Sequence, residues 1–443
     1  MQTYKFYFKK TATKSLPLVG SRLLHAATDF INMIIIAKLG LDAVAAGSLI
    51  AITSATILLV AWATLFSVAV VVGQAYGARQ YAAIGQILKS GCLLALIIGT
   101  IAGVMMHQVN HILCLFHQPQ NLIALAMPYF HTLAWGLIPS VICVCFNEFA
   151  IGILKTRLVI IWRLITTPIT LGLSYCLVLG KFGLPKMGIA GAALGYTITY
   201  WGLAIALLIY FSNAKKYREY CLFKAPCSLA YIKQLFAIGW PISVQLGAIM
   251  AAYTMLTYMM GWFGKTALAA NQITAQCATI VAMIPYGISQ AAVALVAQAS
   301  GQTKNLIKIA GLSSIWLSGM LVTIFSLVYW IAPKLPISIY LSSHNANNIN
   351  AISLAILFLY INGISQIFDA LGVTTLGALR GLSDTKIPML INIIASWLVS
   401  IPIGYILAFK LGVGAIGLNM GFVLGSALNA FLLMNRFKKY CII

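Results

Sequence analysis

Acidic residues are what this chain has least of. Six Asp and Glu stand against 28 Lys and Arg in 443 residues, and charged residues make up 8% of the total. A soluble domain carries about 25% charged residues, so composition excludes a water-soluble fold. No CxxC pair occurs among the nine cysteines, which removes the common signs of a zinc site or a thiol redox centre. Cys143 and Cys145 read as small core residues. Walker A, HExxH and GxSxG patterns are all missing, so nothing points to ATP use or to hydrolytic catalysis.

What fills the chain is apolar. Hydrophobic residues reach 61% and the mean hydropathy is +0.97. Runs of ~20 apolar residues recur along the whole length, the pattern of a polytopic helical membrane protein; a barrel would show ~10-residue alternating segments. About twelve spans fit between residues 15 and 435. The net charge of +22 is then explained by the positive-inside rule rather than by nucleic acid binding. Twenty-one Lys and Arg, Arg163 among them, are assigned to even-numbered loops and the termini, six to odd-numbered loops, and Arg22 to a span. That asymmetry puts both termini in the cytoplasm. The basic stretch YKFYFKKTATK has no clear cleavage site, so the first apolar helix reads as a retained span.

The longest polar connection, 212–233, splits the chain into similar halves. One constant shift aligns Pro17 with Pro241, Gly40 with Gly264, and Gln74-Ala75 with Gln298-Ala299. A slightly longer shift aligns Gly188, Gly191 and Gly195 with Gly414, Gly417 and Gly421. The fold expected is an all-α integral membrane protein of about twelve transmembrane helices. They form two six-helix bundles, 1–211 and 234–443, joined by a cytoplasmic linker at 212–233. With six spans in each half the repeat is parallel, and transport sites in such folds lie near the membrane midplane at the repeat interface.

Four motifs in order carry a resemblance: GQAYGARQ (73–80), GKFGLPKMGIAGAALGYTITYW (180–201), AQASGQTK (297–304) and GALRGLSDT (377–385). Together they resemble the multidrug and toxic compound extrusion (MATE) transporters, NorM-like branch, over essentially the whole chain. The resemblance implies a secondary antiporter, with energy from an ion gradient.

The few acids can then be placed one by one. Asp42, Glu219 and Asp384 fall in loops, and Asp29, Glu148 and Asp369 fall inside apolar runs. A charge at mid-membrane costs at least ~2.5–3.5 kcal/mol, so it is kept where it has a use or a partner. Asp369 lies ~16 Å deeper than Arg380 at helical rise. Asp369-Ala370, shortly before the LRG turn, matches the position that the resemblance implies for a cation-coupling acid. Two features of the branch are missing: its span-seven glutamate falls on Ile249, and a tyrosine one turn before the span-ten acid is Ser365. A hard cation such as Na⁺ wants several oxygen ligands, so H⁺ is favoured over Na⁺ as coupling ion; no other cofactor is implied. The family's aspartate in the first span is Asn32 here, with Asp29 one turn earlier.

Arg22, His25, Asp29 and Asn32 are spaced for one helix face. They read either as a relocated proton or substrate site or as an internally neutralised ion pair, with Arg22 as the partner of Asp29. Glu148, Arg380 and Asp384 read as ion-pair or structural residues. Gln245, Tyr253, Tyr258, Gln272 and Gln276 could line a cleft for flat apolar cations, through aromatic faces and amides; each is also a common helix–helix contact. His107, His111 and His117 flank an outer loop at gaps that could hold a metal, but no metal is expected there.

The function expected is therefore cation-coupled export of apolar, often cationic, small molecules by alternating access, from a monomer in a bacterial inner membrane. A lipid-linked saccharide flippase of a related superfold would have more spans and a broader cationic cleft. A membrane-embedded enzyme would need a polar catalytic cluster at one interface, and the acids and histidines form none.

Overall fold

Proline and glycine, more than charge, set where these helices bend, end and touch. The computed structural model describes residues 2–115, 119–213, 220, 226–338 and 349–442. Within the 212–233 connection, residues 214–219 and 221–225, including Lys215, Lys216, Arg218, Glu219 and Lys224, lie outside the described residues, as does His117. Among the described residues every regular element is a helix. In order they are α1 Gln2–Ala37, α2 Leu41–Gly77, α3 Tyr81–His107, α4 Val109–Leu115, α5 Gln120–Gly152, α6 Thr156–Leu179 and α7 Ile189–Asn213. Then come α8 Leu229–Gly261, α9 Lys265–Ser300, α10 Lys304–Ile331, α11 Lys334–Ser338, α12 Ile349–Gly381, α13 Lys386–Lys410 and α14 Ala415–Ile442.

Eleven of these are long and apolar enough to cross a membrane: all but α1, α4 and α11. The twelfth expected span is α1. It has the length, but Arg22, His25 and Asp29 lower its apolar character. The assignment of Arg163 to a loop is corrected. It sits inside α6, which begins at Thr156, rather than in the connection before it.

The contact pattern divides the chain into two compact units. One is Gly20–Ser243; the other is Met1–Val19 with Val244–Ile443. These do not break at the 212–233 connection. They break inside α1, after Val19, and inside α8, after Ser243. The shift that pairs Pro17 with Pro241 also pairs these two break points. Each break follows its proline, which removes one helical hydrogen bond.

Glycine explains why each half-helix packs where it does. In the C-terminal unit, a Cβ on Gly287 of α9 would lie 2.8 Å from the Val19 nitrogen, so the start of α1 rests on α9. In the N-terminal unit, a Cβ on Gly239 of α8 would collide with the Thr64 carbonyl oxygen, so the start of α8 rests on α2. Ser243 reinforces that contact by donating to the Val60 carbonyl at 2.9 Å. Small residues let membrane helices approach this closely, where van der Waals contact replaces the hydrophobic drive of water.

The repeat recurs in the turns. After α5, Leu154 takes φ 55°, and the Lys155 N–H reaches back to Ala150 O at 2.8 Å. After α12, Ser383 takes φ 62°, and the Asp384 N–H reaches Leu379 O at 3.1 Å. Both are left-handed helix stops that satisfy orphan carbonyls. The glycines before them pack alike. Gly152 faces Ala69 and Val72, and Gly381 faces Val293 and Val296, which are the same two positions under the Pro17-to-Pro241 shift. The GALRGLSDT motif is thus a helix stop pressed against α9.

Candidate functional site: two carboxylates in two units

In the C-terminal unit Asp369 sits on α12, several turns before the stop. Ser365, one turn earlier, donates to its Oδ2 at 3.3 Å. Ser426 of α14 lies 3.4 Å from the Ser365 hydroxyl and also bonds the carboxylate. Tyr253 of α8 is an electrostatic neighbour of Asp369, and its ring lies 4.8 Å from that of Phe422. Hydroxyls therefore hold this acid, and no cation from the described residues of the unit is an electrostatic neighbour.

In the N-terminal unit Asp29 on α1 keeps different company. His25 Nδ1 is 3.9 Å from its Oδ2. Arg163 of α6 acts electrostatically on both Asp29 and His25, Arg22 acts on His25, and Tyr129 of α5 is a further neighbour of Asp29. The charged neighbours of Asp29 are thus His25 and Arg163. Arg163 Nη1 donates to the Tyr200 hydroxyl at 3.2 Å, and Tyr200 stacks on Tyr196 with centroids 4.1 Å apart. The His25 ring stands 5.8 Å from Trp62, whose Nε1 donates to Ser140 at 3.4 Å. Asn32, one turn on, is half-buried.

The two sites are counterparts under the repeat. The shift that takes Pro17 to Pro241 takes Asp29 to Tyr253. The register that superposes the α5 and α12 stops, Leu154 on Ser383, takes Ser140 to Asp369. Each unit therefore has an acid at one of two paired positions and a hydroxyl at the other, with the roles exchanged. Reading the acids one by one finds both carboxylates but not this exchange, because it needs two different registers.

The remaining candidates scatter. Gln245 is 1% exposed; its Oε1 accepts a 3.0 Å hydrogen bond from Arg380 Nη2 inside the C-terminal unit, while its Nε2 is buried without a hydrogen-bond partner. Tyr258, Gln272 and Gln276 are exposed and stand apart from that pair. Glu148 is 3% exposed, near the end of α5. Ser426 and Arg163 were missed by sequence reasoning. The only signal for Ser426 is its i, i+3 spacing to Asn429 on an otherwise apolar face. At the end of α3, His107 and His131 face each other at 4.4 Å over a cavity of about 580 Å³ that His111 and Cys114 also line. Among the described residues no three His, Cys, Asp or Glu gather as a metal site.

Asp384 forms a two-point ion pair with Arg436 of α14, through Nε to Oδ2 and Nη2 to Oδ1 at 3.1 Å. Asp384 is 8% exposed and Arg436 25%. Asp384→Asn is expected to lower stability by about 1–2 kcal/mol, the low side of charged hydrogen bonds because the arginine is partly solvated. Thermal unfolding of the purified protein measures it; an unchanged midpoint means that the turn is held by backbone alone.

Comparison with known proteins agrees with this architecture. The MatE family profile matches residues 17–176 and again 241–406, two segments that begin at the paired prolines. The multidrug resistance protein NorM of Burkholderia vietnamiensis is 31% identical over 429 residues, 96% of this chain and 93% of its own. A probable multidrug resistance protein NorM of Synechococcus is 27% identical over 99% of this chain and 95% of its own. Among solved structures, the eukaryotic MATE transporter AtDTX14 superposes with TM-score 0.86 at 19% identity, covering 99% of this chain and 98% of its own. The Vibrio cholerae MATE transporter VcmN in its bent form gives 0.88 at 14% identity, covering 100% and 98%. The chain belongs to the MatE family: it is a multidrug and toxic compound extrusion transporter and not an enzyme.

Proposed function

We propose that this protein is a cation-coupled antiporter of a bacterial inner membrane, working as a monomer with both termini in the cytoplasm, and exporting apolar small molecules by alternating access. The observation that carries the reading is Asp369, a carboxylate in an apolar helix held only by hydroxyls. Protonation cancels its charge and lets its environment close around a neutral group; a cationic substrate needs the charged form. Proton and cation thus exclude each other, which is the condition for antiport. A ligand shifts the balance between two states only through its different affinity for them. The relatives named as multidrug resistance proteins support export of drugs.

H⁺ is the coupling ion favoured. Two serine hydroxyls are a thin oxygen shell for Na⁺, and Ile249 offers none where a second acid would stand. Dye efflux from inverted vesicles tests this. A pH gradient alone is expected to drive accumulation, and a Na⁺ gradient alone to leave it near background. The reverse result would sink the proton assignment, and no transport under either gradient would sink the function.

A further inference from the structure

In the C-terminal unit the start of α10 meets the end of α14. A Cβ on Gly311 would collide with the Phe437 ring, so the helices touch closely there. Lys308, before Gly311, acts electrostatically on Cys441, after Phe437, so the two helices run antiparallel. Helical rotation then carries Lys308 and Lys438 to the same side of the contact. Along α10, Lys304, Lys308, Trp316 and Met320 stand on one row of four-residue spacing. Along α14, Leu424, Phe431 and Lys438 recur every seven residues and share a face. All seven are exposed, Trp316 by 71% and Phe431 by 61%. Each helix thus shows lysine at this end and large apolar groups below it, the outline of a phospholipid. Helix α10 has 28 residues, about 42 Å at helical rise against about 30 Å of hydrocarbon, so its first turns reach the headgroups. Lysine stems lie on apolar surface while their ammonium groups stay at that level.

The positive-inside rule accounts for lysines on one side of the membrane but not for their gathering at this groove. The repeat is parallel, so the rule acts on both units alike. Yet the two repeat shifts pair Lys304, Lys308 and Lys438 with Gln80, Ile84 and Ser212, and Trp316 and Phe431 with Cys92 and Ile205. The N-terminal unit carries its cations at other positions, such as Lys155 and Arg157. Of the two acids in the C-terminal unit, Asp369 lies several turns deeper and Asp384 is held by Arg436, so this end has a net positive charge.

We propose that the groove between the start of α10 and the end of α14 binds an anionic phospholipid with two phosphates, cardiolipin. Lys304 and Lys308 take one phosphate and Lys438 the other, while the acyl chains lie along Trp316 and Phe431. Ammonium donors on two separate helices suit two phosphates better than one, and basic pockets between helices on the cytoplasmic side receive such headgroups. The leaflet rests on the orientation proposed above; the binding does not.

Native mass spectrometry of the purified full chain, delipidated in detergent and titrated with lipid, makes the test. The wild type is expected to bind tetraoleoyl cardiolipin at least tenfold more tightly than dioleoyl phosphatidylglycerol. The triple variant K304Q/K308Q/K438Q is expected to lose at least tenfold of the cardiolipin affinity. K265Q/K334Q/K410Q removes the same charge from the opposite end of the unit and should change it less than twofold. If the first triple does not fold, K308Q alone replaces it, with an expected loss of about threefold. Equal affinity for the two lipids, or wild-type cardiolipin affinity in the groove variant, overturns the proposal. So does an equal loss in the two triples, which would mean attraction to net charge alone. Inorganic pyrophosphate serves as a headgroup without chains; if it displaced cardiolipin at equal concentration, the ligand would be a free anion and the lipid site would fall. No gradient enters the measurement, so failure of the antiport reading leaves its result intact.

Discussion

Asp369→Asn, reconstituted into proteoliposomes, is expected to lose gradient-driven export by at least about tenfold, roughly 1.4 kcal/mol in the coupled step. Asparagine matches the carboxylate in shape and can still accept from Ser365 and Ser426. What it cannot do is change its charge, and the change of charge is what ties the ion to the substrate. The folded yield and the unfolding midpoint should therefore stay near wild type, whereas binding and exchange of a cationic substrate, which needs the charged form, should weaken together with export. Asp369→Glu keeps the charge on a longer arm and should retain part of the coupling. Export at the wild-type rate by Asp369→Asn under a pH gradient would remove Asp369 from the mechanism and leave Asp29 as the remaining candidate. The double variant with Asp29→Asn then decides whether the two acids act in series or one of them suffices.

Much of this was visible in the sequence because a membrane protein spends so few acids. Six could be inspected singly, and the apolar surroundings of Asp369 and Asp29 made them conspicuous without any structure. The repeat was legible for a similar reason: Pro17 and Pro241, or Gly188 and Gly414, are backbone features that periodicity does not blur. Arg163 was misplaced because it lies shortly after Lys155 and Arg157, and a charge tally cannot tell the end of a loop from the early turns of a helix. Its burial against Tyr200 depends on the rotation of α7, and no linear pattern reports that. The exchange of acid and hydroxyl between the units was hidden by the registers. Helices α1 and α8 align by the shift from Pro17 to Pro241, whereas the α5 and α12 stops, Leu154 and Ser383, stand further apart. No single alignment pairs both positions. Gln245 was read as a cleft residue from its polarity alone; only the fold brings Arg380 to it, from far along the sequence.

The repeat glycines carry the largest expected effect on stability. A Cβ on Gly421 would collide with the nitrogen and the Cα of Gly404. These are backbone atoms of α13, which cannot turn aside as a side chain would. Its counterpart, Gly195, would meet the Ser174 nitrogen of α6 at 2.8 Å. In each unit the last two long helices of the repeat therefore touch backbone to backbone, and even one methyl group must push them apart. Overpacking of this kind costs about 1–3 kcal/mol, and a β-branched residue costs more. Gly421→Ala is expected to lower the unfolding midpoint clearly, Gly195→Ala somewhat less, and Gly421→Val to abolish folded protein. The change needs a control, because glycine to alanine inside a helix otherwise stabilises by about 0.5–1 kcal/mol. Gly202 of α7 supplies it: nothing lies within 4 Å of a Cβ there, so Gly202→Ala should hold or raise the midpoint. If Gly421→Ala behaved like Gly202→Ala, the backbone contact between α13 and α14 would not be what joins them. The shared glycines of the two halves would then need another explanation than close packing.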